Sequence, residues 1–155
     1  NSDGPTMPQV YENTRLTQDS LLKWDFSKYS PKVVSIALGT NDFSNGDGVK
    51  KRDPFDPERF TTEYISFIKL VKVKYPKARI ALLSSPMVKF KNAKVLEDCI
   101  NAVRDKINGL YPTDKPVKVF FFPAMEAHGC SGHPSVEDHQ IMAQQALSFF
   151  KEMMN

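Results

Sequence analysis

Val33-Val34-Ser35-Ile36-Ala37-Leu38-Gly39-Thr40-Asn41-Asp42 is an apolar run of the length of one buried parallel strand, closed by a glycine and then by small polar residues. In open parallel sheets the reacting groups gather where strands end at their carboxyl edge, and Gly39 lets the backbone turn tightly enough to aim Asn41 across that edge. A side-chain amide held there offers N–H donors to a carbonyl oxygen that gains negative charge, the task of an oxyanion hole. The plainer reading of the same residues is an ordinary strand-to-loop exit.

The rest of the chain bounds what this stretch can mean. With 155 residues and 41% hydrophobic content, it can bury one core and fits a single domain. No apolar run reaches the length of a transmembrane helix, and no signal-like segment opens the chain. The net charge of +3 comes from interspersed charges of both signs. Its one basic cluster, Lys50, Lys51 and Arg52, reads as a solvated loop, so neither a membrane nor nucleic acid is expected as a partner.

In order, residues 1 to 15 carry Gly4, Pro5 and Pro8 and read as an extended approach segment. A short helix is expected from Thr17 to Trp24, burying Leu21, Leu22 and Trp24. The organising strand follows Pro31, and the turn-rich Phe43-Ser44-Asn45-Gly46-Asp47-Gly48 opens a loop to Pro54. Asp56 and Pro57 start a helix whose apolar face is Phe60, Tyr64, Phe67, Ile68 and Val71, ending near Tyr75. A strand at Arg79 to Leu83 ends at Ser84-Ser85-Pro86. A helix from Lys94 to Leu110 buries Leu96, Cys99, Ile100, Val103, Ile107 and Leu110, and a third strand spans Val117 to Phe122. The last helix is capped by Ser135, with Glu137 and Asp138 in its first turn and Ala143, Ala146, Leu147 and Phe150 on its core face. This alternation predicts a parallel sheet with helices on its faces, although three strands are few for such a sheet.

A second chemical stretch, Ala127-His128-Gly129-Cys130-Ser131-Gly132-His133-Pro134, joins the third strand to the last helix. His133 lies at the same sheet edge as Asn41, on a loop that Pro134 stiffens, and a histidine there can act as general base on a hydroxyl. The plain alternative is a histidine that caps or packs the loop. His128 reads as a loop side chain and His139 as a packing or hydrogen-bonding residue of the helix. Cys99 and Cys130 fit one disulfide or two buried thiols. No Cys-x-x-Cys is present, so no metal site is expected, and Cys130 is a rival nucleophile only through its nearness to His133.

Taken together, Gly39-Thr40-Asn41-Asp42 and His133-Pro134 resemble two of the conserved blocks of the SGNH (GDSL-like) hydrolase superfamily. Trp24-Asp25-Phe26, Leu38-Gly39-Thr40-Asn41-Asp42-Phe43, Gly129-Cys130 and the early Thr6-Met7-Pro8 are similar to carbohydrate esterase family 2. The resemblance runs over essentially the whole chain. It implies a flavodoxin-like three-layer α/β/α fold and a serine esterase that removes O-acetyl groups from plant cell-wall polysaccharide such as xylan, mannan or glucomannan. It implies Asn41 as oxyanion-hole donor, Gly39 as the residue shaping that loop and His133 as general base, with Asp42 and Phe43 facing substrate. An exported, secreted or periplasmic protein follows from the polymeric substrate, and serine ester hydrolysis needs no cofactor.

Two departures from the family qualify this. The aspartate that many relatives carry two residues before the histidine is Ser131 here, so Ser131 is a candidate orienter of the ring. Some family members use a backbone carbonyl instead, which makes a Ser-His dyad the expectation. The Gly-Asp-Ser-like turn that carries the family's nucleophile has no counterpart, since Ser2 follows no strand and Ser84 and Ser85 follow the wrong one. Residues 1–155 are therefore expected to be the C-terminal portion of a single catalytic domain, inactive alone, with its serine upstream and a strand missing beside 33–38. The exposed edge calls for a retained N-terminal segment, an oligomer or a strand-donating neighbour. A monodisperse monomer of these residues alone would argue against that. The competing expectation is a non-catalytic carbohydrate-binding or scaffolding remnant that uses Phe43 and Trp24 as sugar-facing surfaces.

Overall fold

The computed structural model describes residues 4–15, 17, 21–44, 46 and 51–155. The chain order is α1 (Met7–Val10), β1 (Val33–Ile36), α2 (Pro57–Lys74), β2 (Arg79–Leu83), α3 (Phe90–Leu110), β3 (Lys118–Phe120) and α4 (Val136–Met154). The three strands form one parallel sheet in the order β1-β2-β3, with Ile36 opposite Leu82 and Leu83 opposite Phe120.

Pleating divides the sheet residues between two helical layers. Val34 and Ile36 of β1, with Ile80 and Leu82 of β2, meet Tyr64, Phe67, Ile68 and Val71 of α2 and Leu96, Ile100, Val103 and Ile107 of α3. Side chains of this kind stabilise the fold by about 1.5–3 kcal/mol each on full burial. On the opposite face the Arg79 guanidinium donates to the carbonyls of Glu152 and Met153 at 3.3 and 3.0 Å. Those are last-turn carbonyls of α4, which lack helical partners and carry the negative end of its dipole. The Phe120 and Phe149 rings, with centroids 5.3 Å apart, and a Lys118–Glu152 ion pair complete that contact. The result is the expected three-layer α/β/α arrangement.

The α2 start falls where the sequence placed it, with the Asp56 carboxylate accepting from Glu58 and Arg59 N–H. The strands are shorter than their apolar runs for local reasons. The Tyr64 hydroxyl donates to the Ile36 carbonyl at 3.2 Å, and Gly39 then turns the chain away. Val117 is held through both its N–H and its C=O by the Asn108 amide of α3, and the Phe122 N–H is taken by Ser84 Oγ at 2.8 Å. Each end of the expected third strand is thus claimed by a side chain. The third helix begins four residues before Lys94, in a turn whose exposed Phe90 lies outside its apolar periodicity.

Three expectations are corrected. Residues 7–10 form a short helix rather than extended chain, because Gln9 Oε1 accepts the Thr6 N–H at 2.8 Å and Val10 is buried. The expected helix from Thr17 to Trp24 falls partly on residues 18–20, which lie outside the described residues. Where described it is extended, bonded through Thr14 N–H to Leu22 O and Trp24 N–H to Glu12 O. Leu21 is 95% exposed, and Leu22 and Trp24 are exposed as well. The expected turn at Asn45, Asp47 and Gly48, the cluster member Lys50 and the serine at position 2 also lie outside the described residues.

The third correction concerns α4. Its sheet-facing side is Asp138, Met142, Ala146, Phe149 and Met153, whereas Ala143 and Leu147 are exposed. With Val136 and Met154, those two residues form a second apolar stripe about 100° round the helix. No described element covers it. The β1 face on that same side of the sheet, at Ser35 and Ala37, is exposed as well.

Candidate active site

Because all three strands run parallel, the segments after β1, β2 and β3 emerge at one edge. The segments after β2 and β3 are also fastened to each other. Met125 N–H donates to Pro86 O at 3.1 Å, and the Lys89 ammonium pairs with Glu126 at 2.6 Å. The loop that leads to His133 is therefore pinned to the loop after β2. The sheet brings the Gly39–Phe43 and His128–Pro134 segments to the same edge, as their order in the sequence required.

The first of these is a tight turn. Gly39 has φ +117°, and a Cβ built there would stand 2.6 Å from Leu96 Cδ1 and 3.4 Å from Phe60. Both conformation and packing thus demand glycine. The Asp42 N–H returns to Gly39 O at 3.1 Å and the Ser44 N–H to Asn41 O at 3.2 Å, which fixes a single 3-10 turn at Asn41–Phe43. Asn41 is exposed, and among the described residues its amide takes no hydrogen-bond partner. Asp42 and Phe43 line an open groove of about 590 Å³ with Arg52, Phe55, Lys91 and Asn92. The Phe43 ring is stacked on Phe55, centroids 4.0 Å apart, and packs against the core, so it supplies a wall rather than an open face.

Gly39→Ala combines a left-handed backbone with overpacking against Leu96. It should cost about 2–4 kcal/mol, read as a lowered midpoint of urea unfolding at constant m-value. A midpoint equal to the parent's would show that the turn relaxes freely.

The second segment is a ring of polar contacts. Cys130–Gly132 forms a 3-10 turn in which Ser131 is left-handed at φ +54°. The Cys130 carbonyl accepts from the His133 N–H at 3.1 Å and contacts His133 Nδ1 at 3.2 Å. A carbonyl can only accept, so Nδ1 carries the proton and Nε2 presents its lone pair outward. Ser131 makes no recorded bond with the ring, and its contribution is the backbone turn that places this carbonyl. Gly129 N–H closes the loop on His133 O at 2.7 Å. A Cβ at Gly129 would meet that same oxygen at 2.7 Å.

Asp138 anchors the loop from below. It is buried, and its carboxylate accepts from Ser135 N–H, His128 N–H and His128 Nδ1, each at 2.8 Å. Those bonds, led by the Ser135 N–H, hold its carboxyl far below the usual carboxylate range. The bonded carboxylate raises the His128 imidazole in turn. The stabilisation from a depressed Asp138 is complete above about 3.9 and lost as pH falls through its folded value. That from a raised His128 is complete below about 6.5 and lost as pH rises through its folded value. The clasp is therefore strongest between those limits. The Tm difference between the parent and Asp138→Asn should be largest from pH 4 to 6.5 and narrow towards pH 8.5. A difference independent of pH would dissociate the clasp from His128 ionisation.

Cys99 is buried and Cys130 exposed, both as free thiols, so neither the disulfide nor the pair of buried thiols holds. Ser84 is buried with its hydroxyl on the Phe122 N–H, and Ser85 Oγ accepts from Met87 N–H, so both serve the loop after β2. Among the described residues no group of three metal-ligating side chains converges, and no helix is long and apolar enough to cross a membrane.

A turn that presents a lone amide and a loop that presents an imidazole lone pair at one parallel-sheet edge suit acyl transfer. The GDSL-like lipase/acylhydrolase family model matches residues 2–146. The chain belongs to this family. Among its relatives, cellulase/esterase CelE of Acetivibrio thermocellus is 33% identical over 138 residues, covering 86% of this chain and 16% of CelE. An acetylxylan esterase/glucomannan deacetylase of Cellvibrio japonicus is 23% identical over 158 residues, covering 99% of this chain and 40% of that protein. The solved structure of a family two carbohydrate esterase from Clostridium thermocellum in complex with cellohexaose superposes with a TM-score of 0.78 at 31% identity. It covers 97% of this chain and 44% of the solved one. The chain thus spans less than half the length of each of these proteins, and these relatives and structural neighbours are carbohydrate esterases.

The sequence led to a backbone carbonyl in place of the aspartate but not to its identity as that of Cys130, and it did not show Asp138 as the anchor of the His133 loop. The first leaves no sequence signal, since any residue has a carbonyl. The second does, because Ser135-x-x-Asp138 is a capping pattern whose aspartate can reach back to the preceding loop.

Proposed function

We propose that these residues are the base-bearing portion of a carbohydrate acetylesterase that removes O-acetyl groups from plant cell-wall polysaccharide such as xylan, mannan or glucomannan. The nucleophilic serine comes from a segment N-terminal to them in the same catalytic domain, and the 155 residues alone are inactive. The observation that carries this reading is the Nδ1 contact of His133 with the Cys130 carbonyl at 3.2 Å, which leaves Nε2 as a base without any carboxylate. In the reaction Nε2 takes the serine proton as Oγ bonds to the acetyl carbon. The Asn41 amide donates to the oxygen that becomes negative. Collapse expels the sugar oxygen, which takes the proton from His133, and water then releases acetate by the same steps.

The placement of the serine is supported by β1, which among the described residues is paired on one side only, and by the exposed α4 stripe on the same side of the sheet as its uncovered face. A strand and helix seated there would bring a serine to the carboxyl edge next to Asn41. An exported location follows from the polymeric substrate. The test is a fluorophosphonate probe on the natively purified protein, with the labelled peptide identified by mass spectrometry and acetate release measured on acetylated xylan. A labelled serine outside these 155 residues is the expected result. Label on Ser84 or Ser85 would overturn the placement. No label and no acetate, with upstream sequence present, would favour a polysaccharide-binding module without turnover.

A further inference from the structure

We propose that Phe90 is a stacking platform for a pyranose ring of the polysaccharide beside the acetylated unit, which rests on the carbohydrate reading above. Two independent observations single it out. The residue is 89% exposed, while Phe43 and Phe55 are stacked on each other. Its φ is +54°, a conformation that a bulky side chain rarely adopts and that costs stability. The sequence thus keeps a large apolar ring, in a strained backbone, where it contributes nothing to the core.

Its place explains what the ring can do. Phe90 opens α3 at the carboxyl edge of the sheet, in the loop after β2. The residue before it, Lys89, is tied by its ammonium to Glu126 on the segment leading to His133. The residues after it, Lys91 and Asn92, line the groove that contains Asp42 and Phe43. Phe90 therefore stands at the sheet edge between a residue tied to the segment leading to His133 and residues lining the groove of Asp42 and Phe43. An aromatic face suits the C–H surface of a pyranose, and a rigid ring loses little entropy on contact.

The test uses the native gene product with Phe90→Gly, Phe90→Leu and Phe90→Trp. Glycine accepts φ +54° without penalty, so Phe90→Gly should unfold at a Tm equal to or above the parent's. Its ratio of kcat/KM on acetylated xylan to kcat/KM on 4-nitrophenyl acetate should fall about tenfold, the loss of one good aromatic contact. Leucine should reproduce the fall and tryptophan restore the parent ratio. Retardation in xylan-containing native gels should change in the same order, and that readout stands whether or not the protein turns over. A lowered Tm in Phe90→Gly with an unaltered ratio and retardation would make Phe90 structural and overturn the proposal. Absence of acetate release from the parent, with xylan retardation still lost in Phe90→Gly, would overturn the esterase reading and leave the platform standing.

Discussion

Replacing His133 by alanine in the native gene product should lower kcat for acetate release by about 10²- to 10⁴-fold, the range a positioned general base supplies. The fold should survive, because the side chain is exposed and its recorded hydrogen bond is the one to the Cys130 carbonyl. An exposed substitution of this kind changes stability by no more than about 0.5 kcal/mol. The residual rate would come from the oxyanion donors and from binding, which act without the base. Far-ultraviolet circular dichroism and Tm matching the parent, with kcat collapsed, is the expected pair of readings. Turnover at the parent's rate would remove His133 from the mechanism and leave the loop a structural cap. A variant that loses activity and fold together would not count as support, since the ring's Nδ1 bond to the Cys130 carbonyl, which alanine removes, also belongs to the loop.

How much of this was legible beforehand depends on what each residue interacts with. The three strands and the helices after them were readable because Ile68, Val71, Ile80, Leu82 and Ile100 repeat with the period of the elements that bury them. The helix starts at Asp56 and Ser135 were readable because a cap bonds to backbone two or three residues away. The errors fall where a distant group decides. Val117 and Phe122 belong to a strand-like run, but Asn108 and Ser84 take their backbone groups. Leu21 and Leu22 have the spacing of a buried helical face, yet Trp24 N–H pairs with Glu12 O and holds that segment extended. Ala143 and Leu147 carry a core pattern with nothing described against them, and here the pattern reports a surface rather than a mistake in period. In the site, Gly39 and His133 stood out by residue type. Phe90 did not, because a positive φ at a phenylalanine has no signature in the sequence.

Asn41→Ala should lower kcat by about 10²- to 10³-fold, equivalent to about 2.7–4 kcal/mol of lost transition-state stabilisation. KM should change little, since the amide bonds more strongly to the oxyanion than to the ground-state carbonyl. The turn itself should persist. It is held by backbone bonds, Asp42 N–H to Gly39 O and Ser44 N–H to Asn41 O, in which the Asn41 side chain takes no part. Arg52 also donates to Asn41 through the backbone carbonyl, a contact that alanine retains. This separates the variant from Gly39→Ala, which should lose activity by moving the whole turn and lose stability as well. Asn41→Asp sharpens the test, because a carboxylate at nearly the same volume accepts where the amide donates and repels a developing negative oxygen. Its kcat should fall below that of the alanine variant. A rise in KM with kcat preserved would assign Asn41 to uniform substrate binding instead. The oxyanion donors would then have to be sought in backbone N–H groups at the same sheet edge.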